Sequence, residues 1–465
     1  MKKLWLVVAL AALGGLASNT FADVQNIRLS GDIRIRAYFL DSAGVSAASA
    51  PDQLDANTSF ISQRTRVSVE ADLEDHVLVV VTLKAEGTWG SSDQTFGNSG
   101  AGFSNAGVIN RGFGVGIDEA YVQLNEMFFS PATVKVGRQY LNYGHGLILS
   151  SAEQEYNYDA ARMVLDFYPV TIDLVGAQVV RNQSFGATPN SNSAFLPTGS
   201  DNLLFLNARY EMTDSILKNI EAYAGWQSKS RLPGATPGTG LGSPDAVSPW
   251  IVGLRTDLQP TDGFQIWLEG TYEASLDGNN ASTGNPVISA FLANAGFRYT
   301  AKKCNWAPSI NGNYIYASGG GGAGGGNFIP WFGYGDGYNG YLLAPRLSNI
   351  HIFNLGTSIK PSENTSLSFQ GYYYMRADND NSGGFANPSD PNVDFGGLAF
   401  AAGGSSGGLG WEIDSIFGYD YSKDLRLQLV YAAFIPGGAF QNGAPGTGDG
   451  DRTAQEVRGE IAVKF

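Results

Sequence analysis

Residues 60–88 read FISQRTRVSVEADLEDHVLVVVTLKAEGT, and this stretch decides the fold. Apolar and polar residues alternate in two segments, 60–73 and 77–88, which are joined by the short step 74–76. A period of two is the pattern of a β-strand with one apolar and one polar face, and so short a connection predicts an antiparallel hairpin.

The same alternation recurs along the rest of the chain, and short connections between its segments take turns with long ones rich in Gly, Ser, Asn and Pro. The pattern predicts eighteen strands, at 27–40, 60–73, 77–88, 117–125, 132–140, 161–168, 171–181, 202–212, 219–229, 250–258, 264–275, 290–300, 307–317, 350–360, 364–376, 409–421, 424–434 and 455–465. No segment of useful length has a helical period. An even number of strands with short turns at one end and long loops at the other is typical of an all-β, transmembrane antiparallel β-barrel with short periplasmic turns and long extracellular loops.

The N-terminus carries the features of a secretory signal peptide. Lys2 and Lys3 precede an apolar stretch at 4–17, and a small-residue cleavage site ends at Ala22. We therefore expect residues 1–22 to be removed and residues 23–465 to form one barrel domain in the outer membrane of a Gram-negative-type bacterium, although 465 residues could make about three ordinary domains.

Composition excludes several classes of function. The net charge is −14, with only 15% charged residues, which argues against a nucleic-acid partner because phosphate backbones need a basic face. With one cysteine, Cys304, and three histidines, the chain offers neither a disulfide nor a multi-cysteine metal site, so we expect no metal, no cofactor and no enzymatic activity. Asp378 and Asp380 imitate the start of a calcium loop over 378–390, but Ser389 stands where the bidentate glutamate belongs.

Aromatic residues favour a barrel over a soluble β-sandwich, which also alternates. Ten of them share the apolar parity near predicted strand ends, as in the aromatic girdles that face outer-membrane lipid: Trp250, Tyr272, Tyr299, Tyr314, Tyr316, Tyr373, Trp411, Tyr419, Tyr421 and Tyr431. The last segment alternates up to Phe465, and an alternating strand with a terminal aromatic resembles the signal that outer-membrane barrels present to the barrel assembly machinery. We therefore expect that machinery as a partner.

An eighteen-stranded barrel is wide enough for an aqueous channel, so function is expected on the inward parity. That parity carries the candidate lining residues of the first strands and of the fourth and sixth: Arg28, Arg34, Arg36, Arg64, Arg66, Glu70, Glu119, Gln123, Arg162 and Asp166. Two interpretations stay open. The charges form ladders that stiffen the wall, or the arginines of the first two strands form a cationic strip that favours anions.

Two motifs resemble the alginate-export family of eighteen-stranded outer-membrane barrels. They are Val136-Gly137-Arg138-Gln139, followed by Tyr143-Gly144 and Leu147, and Tyr158-Asp159-Ala160-Ala161-Arg162-Met163. The resemblance implies inward arginines that line a constriction for an anionic polysaccharide, with Arg138, Asp159 and Arg162 as candidates. Arg138 falls on the apolar parity of Val134 and Val136, so a bulge or a strand end would have to turn it inward.

These observations predict a passive, porin-like outer-membrane channel for polar small-molecule or saccharide solutes, including organic anions, narrowed by the arginines and by an in-folded loop. The first alternative is a dedicated secretion conduit for an exopolysaccharide, which would need periplasmic export partners. The second alternative is a structural or adhesive surface barrel that its own loops plug. The glycine-rich segment 319–326 is either a lid that folds into the pore or, as we slightly prefer, an external loop tip.

Overall fold

The described residues form a barrel wall together with parts of its connections. The computed structural model describes residues 26–41, 58–73, 76–90, 113–127, 131–151, 157–179, 201–213, 215–228, 248–275, 288–319, 326, 328, 331, 339–342, 345, 347–379, 407–438 and 453–465. The predicted signal peptide, most of the 378–390 loop and residues 320–325 of the glycine-rich segment lie outside these ranges, so the predictions for them stay predictions. Within the described residues, no helix has the length and apolar character needed to cross a membrane.

The described residues form eighteen strands, the number that the alternation predicted. They are β1 (Asn26–Asp41), β2 (Thr58–Asp72), β3 (Val77–Thr88), β4 (Gly114–Leu124), β5 (Ala132–Gln139), β6 (Tyr158–Phe167), β7 (Val170–Val179), β8 (Asp201–Glu211), β9 (Leu217–Ser228), β10 (Pro249–Thr261), β11 (Phe264–Ser275), β12 (Ser289–Thr300), β13 (Ser309–Ala317), β14 (Ile350–Ser362), β15 (Thr365–Arg376), β16 (Gly408–Asp420), β17 (Leu425–Pro436) and β18 (Ala454–Lys464). Each strand pairs antiparallel with its neighbours in sequence.

The sheet closes because β18 also pairs with β1, in a register that runs from Asp32 opposite Lys464 to Asp41 opposite Gln455. A closed sheet leaves no edge strand, so every strand of the wall has a partner for its backbone amides and carbonyls on both sides. The predicted closed, antiparallel barrel of eighteen strands is therefore confirmed.

Strand β4 starts three residues before the predicted segment 117–125, and it contains a bulge. In β4 the register shifts so that Thr82 faces Glu119 while Leu83 faces Ile117, and Asp118 is the extra residue. An extra residue reverses the parity of everything beyond it. The predicted segment 117–125 therefore spans the bulge, and Ile117 and Val122 both face outward although their parities differ.

The two faces of the wall separate as predicted. On the outer face, large apolar side chains stay exposed, with Leu29 at 67% and Leu355 at 61% of their accessible surface. On the inner face, charged side chains are covered, with Arg64 at 6% and Glu269 at 4%. Apolar residues outside and polar residues inside are the arrangement of a barrel in lipid.

The barrel interior contains an apolar cluster that the alternation did not predict. Leu141, Leu147, Ile148 and Leu149 are at most 3% exposed, and they belong to the connection between β5 and β6. They cluster with inward residues of the wall such as Phe205. This connection, residues 140–151, is hereafter the β5–β6 loop, and it folds into the barrel.

A second connection also folds inward. Between β13 and β14, the described residues Phe328, Trp331 and Leu347 are at most 2% exposed and join the same cluster. We call the described residues between 318 and 349 the β13–β14 loop. Two loops of the chain, the β5–β6 loop and the β13–β14 loop, therefore occupy part of the barrel interior.

Candidate functional site

The inner wall at β1, β2 and β18 carries the predicted arginine strip. Arg36 Nε lies 2.5 Å from Glu460 Oε2, and Arg66 Nε donates to Asp32 Oδ2 at 2.6 Å. Arg64 Nη2 lies 3.6 Å from the other oxygen of Asp32. Each of these carboxylates belongs to a neighbouring strand, so the charges form a ladder across the wall.

The ladder continues onto β3 and β4 through Asp118, the extra residue of the β4 bulge. Lys84 Nζ lies 3.1 Å and Arg66 Nη1 3.6 Å from its carboxylate oxygens. In these contacts four cations, Arg36, Arg64, Arg66 and Lys84, share three carboxylates, Asp32, Asp118 and Glu460. Arg34 lies directly opposite Arg64 in the β1–β2 register, and Glu86 lies opposite Arg64 on its other side, in the β2–β3 register.

The β5–β6 loop begins at this strip. Tyr140 hydroxyl donates to Asp118 Oδ2 and accepts from Arg66 Nη1 at 3.1 Å. Burial and the neighbouring Asp118 carboxylate raise the pKa of the Tyr140 phenol well above its usual value, which keeps the phenol protonated as a donor. Glu119, predicted to line the channel, follows Asp118 directly on β4 and lies opposite Thr82 of β3.

The tip of the β5–β6 loop is held by carboxylates on the opposite wall. Gly144 N–H donates to Glu221 Oε1 at 3.1 Å, and His145 N–H donates to Glu269 Oε2 at 3.1 Å. Arg255 Nη1 donates to the Gly144 carbonyl at 2.5 Å. Three wall side chains therefore satisfy backbone groups that would otherwise be buried without partners.

Arg162 supports the same loop from β6. Its guanidinium makes hydrogen bonds of 2.5–3.0 Å to both oxygens of Asp173, which is only 4% exposed. The Arg162 guanidinium carbon also lies 5.7 Å from the centre of the Tyr143 ring. The structure thus places Arg162 on the inner face beneath the loop, where it binds protein groups.

The β13–β14 loop is held in the same way. Trp331 Nε1 donates to Glu273 Oε1 at 2.7 Å, and Leu342 N–H donates to Glu412 Oε1 at 2.8 Å. Arg458 lies 5.0 Å from the centre of the Tyr341 ring. Glu221, Glu269, Glu273 and Glu412 are each at most 4% exposed, so these wall carboxylates serve the loops.

A cavity of about 710 Å³ remains inside the barrel on the periplasmic side of the two loops. On the side of the loops, the cavity is lined by His145 of the β5–β6 loop and by Asn339 and Tyr341 of the β13–β14 loop. Its walls come from β9 to β16 and carry mainly amide, aromatic and cationic side chains, among them Trp267 and Arg298. This cavity and the arginine strip together form the candidate site.

Four predicted lining residues lie near the periplasmic ends of their strands. Arg28 pairs with Glu70 at 3.0 Å, and its side chain is 55% exposed. Gln123 donates to Asn125 Oδ1 at 2.8 Å, and Asp166 accepts from Thr171 Oγ1 at 3.4 Å. These residues belong to the rim, away from the loops.

Arg138 and Asp159 are not in the interior, which corrects the expectation drawn from the family resemblance. Arg138 lies opposite Ala120 and Asp159, on the same face as the outward Val136. Its guanidinium forms a two-bond pair with Asp159, at 2.8 and 3.0 Å. No register shift occurs between β4 and β5 at this point, so nothing turns the side chain inward.

Sequence reasoning missed the residues that hold the loops. Asp118, Tyr140, His145, Glu221 and Asp173 are not among the predicted lining residues. A usable signal was the apolar run at 147–149, because apolar residues inside a polar connection indicate burial. Among the described residues, no group of His, Cys, Asp and Glu could hold a metal ion.

The comparison with protein families decides the identity of the barrel. The model of the family described as alginate export matches residues 26–453, almost the whole described chain. The chain belongs to the alginate export family. It is an outer-membrane β-barrel channel, and its location is the outer membrane.

Solved structures share this fold with the new alginate export family member. OprD from Pseudomonas aeruginosa is 11% identical with a TM-score of 0.53, and 96% of each chain is covered. OccK8 (OprE) of the same species is 10% identical with a TM-score of 0.54, covering 96% of this chain and 99% of its own. Pseudomonas aeruginosa OpdK, solved with vanillate, is 10% identical with a TM-score of 0.54, covering 94% and 98%. No curated protein matches the sequence.

Proposed function

We propose that the barrel conducts anionic, hydroxyl-rich solutes passively, with acidic saccharides and small organic anions as the substrate class. The observation that carries the proposal is the unequal accessibility of charge. Glu221, Glu269, Glu273 and Glu412 are buried against the loops, whereas Arg298 is exposed in the cavity. A solute below the loops can therefore contact cations more readily than these carboxylates.

The arginine strip adds to this preference. Arg34 and Arg64 lie opposite each other and are at most 9% exposed, so the strip acts on an anion through its electrostatic field rather than by direct contact. The family description names alginate, and the OpdK structure contains vanillate, an organic anion. Both are compatible with an anion preference in this chain.

Reversal potentials in planar bilayers test the proposal. The refolded protein is expected to prefer chloride over potassium across a KCl gradient, and R64Q/R66Q is expected to reduce that preference. The matched control is R138Q, which removes an arginine from the outer face and is expected to leave the reversal potential unchanged. Heat-modifiable migration on gels verifies that each variant forms a barrel.

Three outcomes would overturn the proposal. They are the absence of conductance, a cation preference in the wild-type protein, and a reversal potential that R64Q/R66Q does not move. The absence of conductance would instead favour the plugged surface barrel. The proposed transport is diffusion, and we infer no catalytic step.

Partners remain part of the proposal. We infer that the barrel assembly machinery inserts the chain, which the closure of the barrel through β18 and β1 supports. Export of a polysaccharide would also need periplasmic partners that deliver the polymer, whereas uptake of small solutes would not. Residues 23–465 as one barrel domain, after removal of residues 1–22, belong to the same proposal.

A further inference from the structure

One wall of the interior cavity is flat and aromatic at Trp267. This side chain faces inward from β11, and its Nε1 donates to Asn313 Oδ1 at 3.0 Å. Gly296 on β12 lies under the ring, since a Cβ added there would come within 2.3 Å of the indole carbon Cζ2. The absence of a side chain at Gly296 therefore lets the indole lie along the wall, where it lines the cavity.

Beside Trp267 lies a cluster of three amides on β13, β14 and β15. Asn311 Nδ2 donates to Asn354 Oδ1 and Gln370 Oε1, both at 3.1 Å. Asn354 Nδ2 donates to Gln370 Oε1 at 3.2 Å, and Gln370 Nε2 donates back to Asn311 Oδ1 at 3.3 Å. Gly356 makes room for Gln370, since a Cβ added at Gly356 would lie 1.9 Å from its amide oxygen.

The hydrogen bonds of this cluster leave acceptors available. The remaining N–H groups donate to the Gly371 carbonyl and to Ser368 Oγ, so all six amide N–H groups are used. Asn311 Oδ1 and Asn354 Oδ1 each accept one bond in the cluster, and an amide oxygen has two lone pairs. Each oxygen can therefore accept one more hydrogen bond from a ligand hydroxyl.

Two further groups complete the site from other directions. Asn339 of the β13–β14 loop is 1% exposed, lines the cavity, and its Nδ2 has no hydrogen-bond partner among the described residues. A buried donor without a partner calls for a ligand group or a water. Arg298 lies opposite Asn311 in the β12–β13 register and forms no ion pair or hydrogen bond with the residues that the structure describes.

We propose that this wall is a binding site for one pyranose ring of the solute. The apolar face of the ring packs on the Trp267 indole, its hydroxyls donate to Asn311 and Asn354, and Arg298 binds an acidic substituent. A volume of about 710 Å³ lies in the range of roughly 300–1,000 Å³ that ligand sites occupy. The site deepens the proposed function and rests on it.

Saturable block of single-channel current in planar bilayers tests the site, with D-glucuronate, D-glucose and acetate as probes. Glucuronate is expected to block most strongly, glucose more weakly, and acetate not at all at the same concentration. W267L is expected to weaken both sugars roughly tenfold through loss of the ring surface. R298Q is expected to weaken glucuronate and to leave glucose unchanged.

The matched control is W250L, because Trp250 lies on the outer face of β10 and does not line this cavity. G296V is a second variant of the site. The valine side chain would displace the indole from the wall, although residue 267 remains tryptophan. Isothermal titration of glucuronate into the detergent-solubilised protein gives a readout that needs no conductance.

The outcomes of these experiments distinguish a failure of the ring site from a failure of the proposed anion channel. Sugar affinity that W267L and G296V leave unchanged would overturn the ring site, even if the channel prefers anions. Equal block by acetate and glucuronate would also overturn it, because the ring would then contribute nothing. A cation preference with sugar binding that depends on Trp267 would overturn the anion channel and retain the ring site.

Discussion

Replacing Glu221 and Glu269 together by glutamine is expected to loosen the tip of the β5–β6 loop without releasing the loop from the barrel. Their carboxylates accept the backbone N–H groups of Gly144 and His145 and are each 4% exposed. Glutamine keeps the shape and one acceptor oxygen but removes the negative charge. The variant therefore isolates the charge from the packing.

The magnitude follows from the kind of hydrogen bond. A bond to a charged group contributes about 1.5–3 kcal/mol and a neutral bond about 0.5–1.5 kcal/mol, so each substitution costs about 1 kcal/mol. Two such losses, about 2 kcal/mol, shift the ratio of held to released tip roughly 30-fold. By comparison, burial of the four aliphatic side chains at 141 and 147–149 stabilises the inserted loop by at most about 6–12 kcal/mol. Apolar burial outweighs the loss, so the loop stays inserted.

Single-channel recordings distinguish these contributions. The mean conductance of E221Q/E269Q is expected to stay near the wild-type value, while brief excursions to a larger conductance become about 30-fold more frequent. The matched control is E211Q, because Glu211 pairs with Arg209 at 3.2 Å and its side chain makes no hydrogen bond or ion pair with the described residues of the two interior loops. Unchanged excursions in the double variant would refute the role of the carboxylates, and a stable large conductance would refute the role given to apolar burial.

Three further substitutions are expected to lower the free energy of unfolding, measured by denaturant titration in micelles with tryptophan fluorescence. R162M leaves the buried Asp173 carboxylate without its guanidinium partner and is expected to cost about 3 kcal/mol. L149A opens a cavity at a side chain that is 0% exposed and is expected to cost about 2–5 kcal/mol. Y140F removes the hydroxyl that donates to Asp118 and is expected to cost about 1–2 kcal/mol.

Each of these substitutions has a counterpart elsewhere on the barrel. R209M removes an exposed cation, while L254A and Y210F change outer-face side chains that are 56% and 44% exposed. Each control is expected to cost less than about 1 kcal/mol. A control that lowers the free energy of unfolding as much as its matched variant would contradict the prediction. The loss of stability would then reflect general damage to the wall rather than loss of the specific contact.

The wall was predictable from the sequence because a barrel imposes one rule on every strand. Outward positions meet lipid and inward positions meet water or polar groups, so the alternation reports the face directly. Arg138 is a polar exception on the outward face: it shares the parity of Val136, and its charge is paired there with Asp159. The family motif predicts an inward side chain at this position, whereas the parity predicts the outward side chain that is observed.

The contents of the interior were not predictable in the same way. The β5–β6 loop has no period, so nothing local indicates whether Leu149 meets water or the inner wall. Glu269 has the same inward parity in an empty pore and beneath a loop, and only its partner, the His145 amide, distinguishes the two cases. Contacts between residues 124 positions apart depend on the closed barrel, which brings the strands around the loop.

The interior charges therefore have two separate tasks. Carboxylates such as Glu221 and Glu412 accept backbone amides of the loops, which fixes the narrow part of the barrel at little cost in exposed negative charge. Because the buried carboxylates hold the loops, the cavity below the loops is lined instead by Arg298 and by amides. In the channel that we propose, the position of each charge, rather than the number of charges of each sign, therefore decides which groups a solute meets.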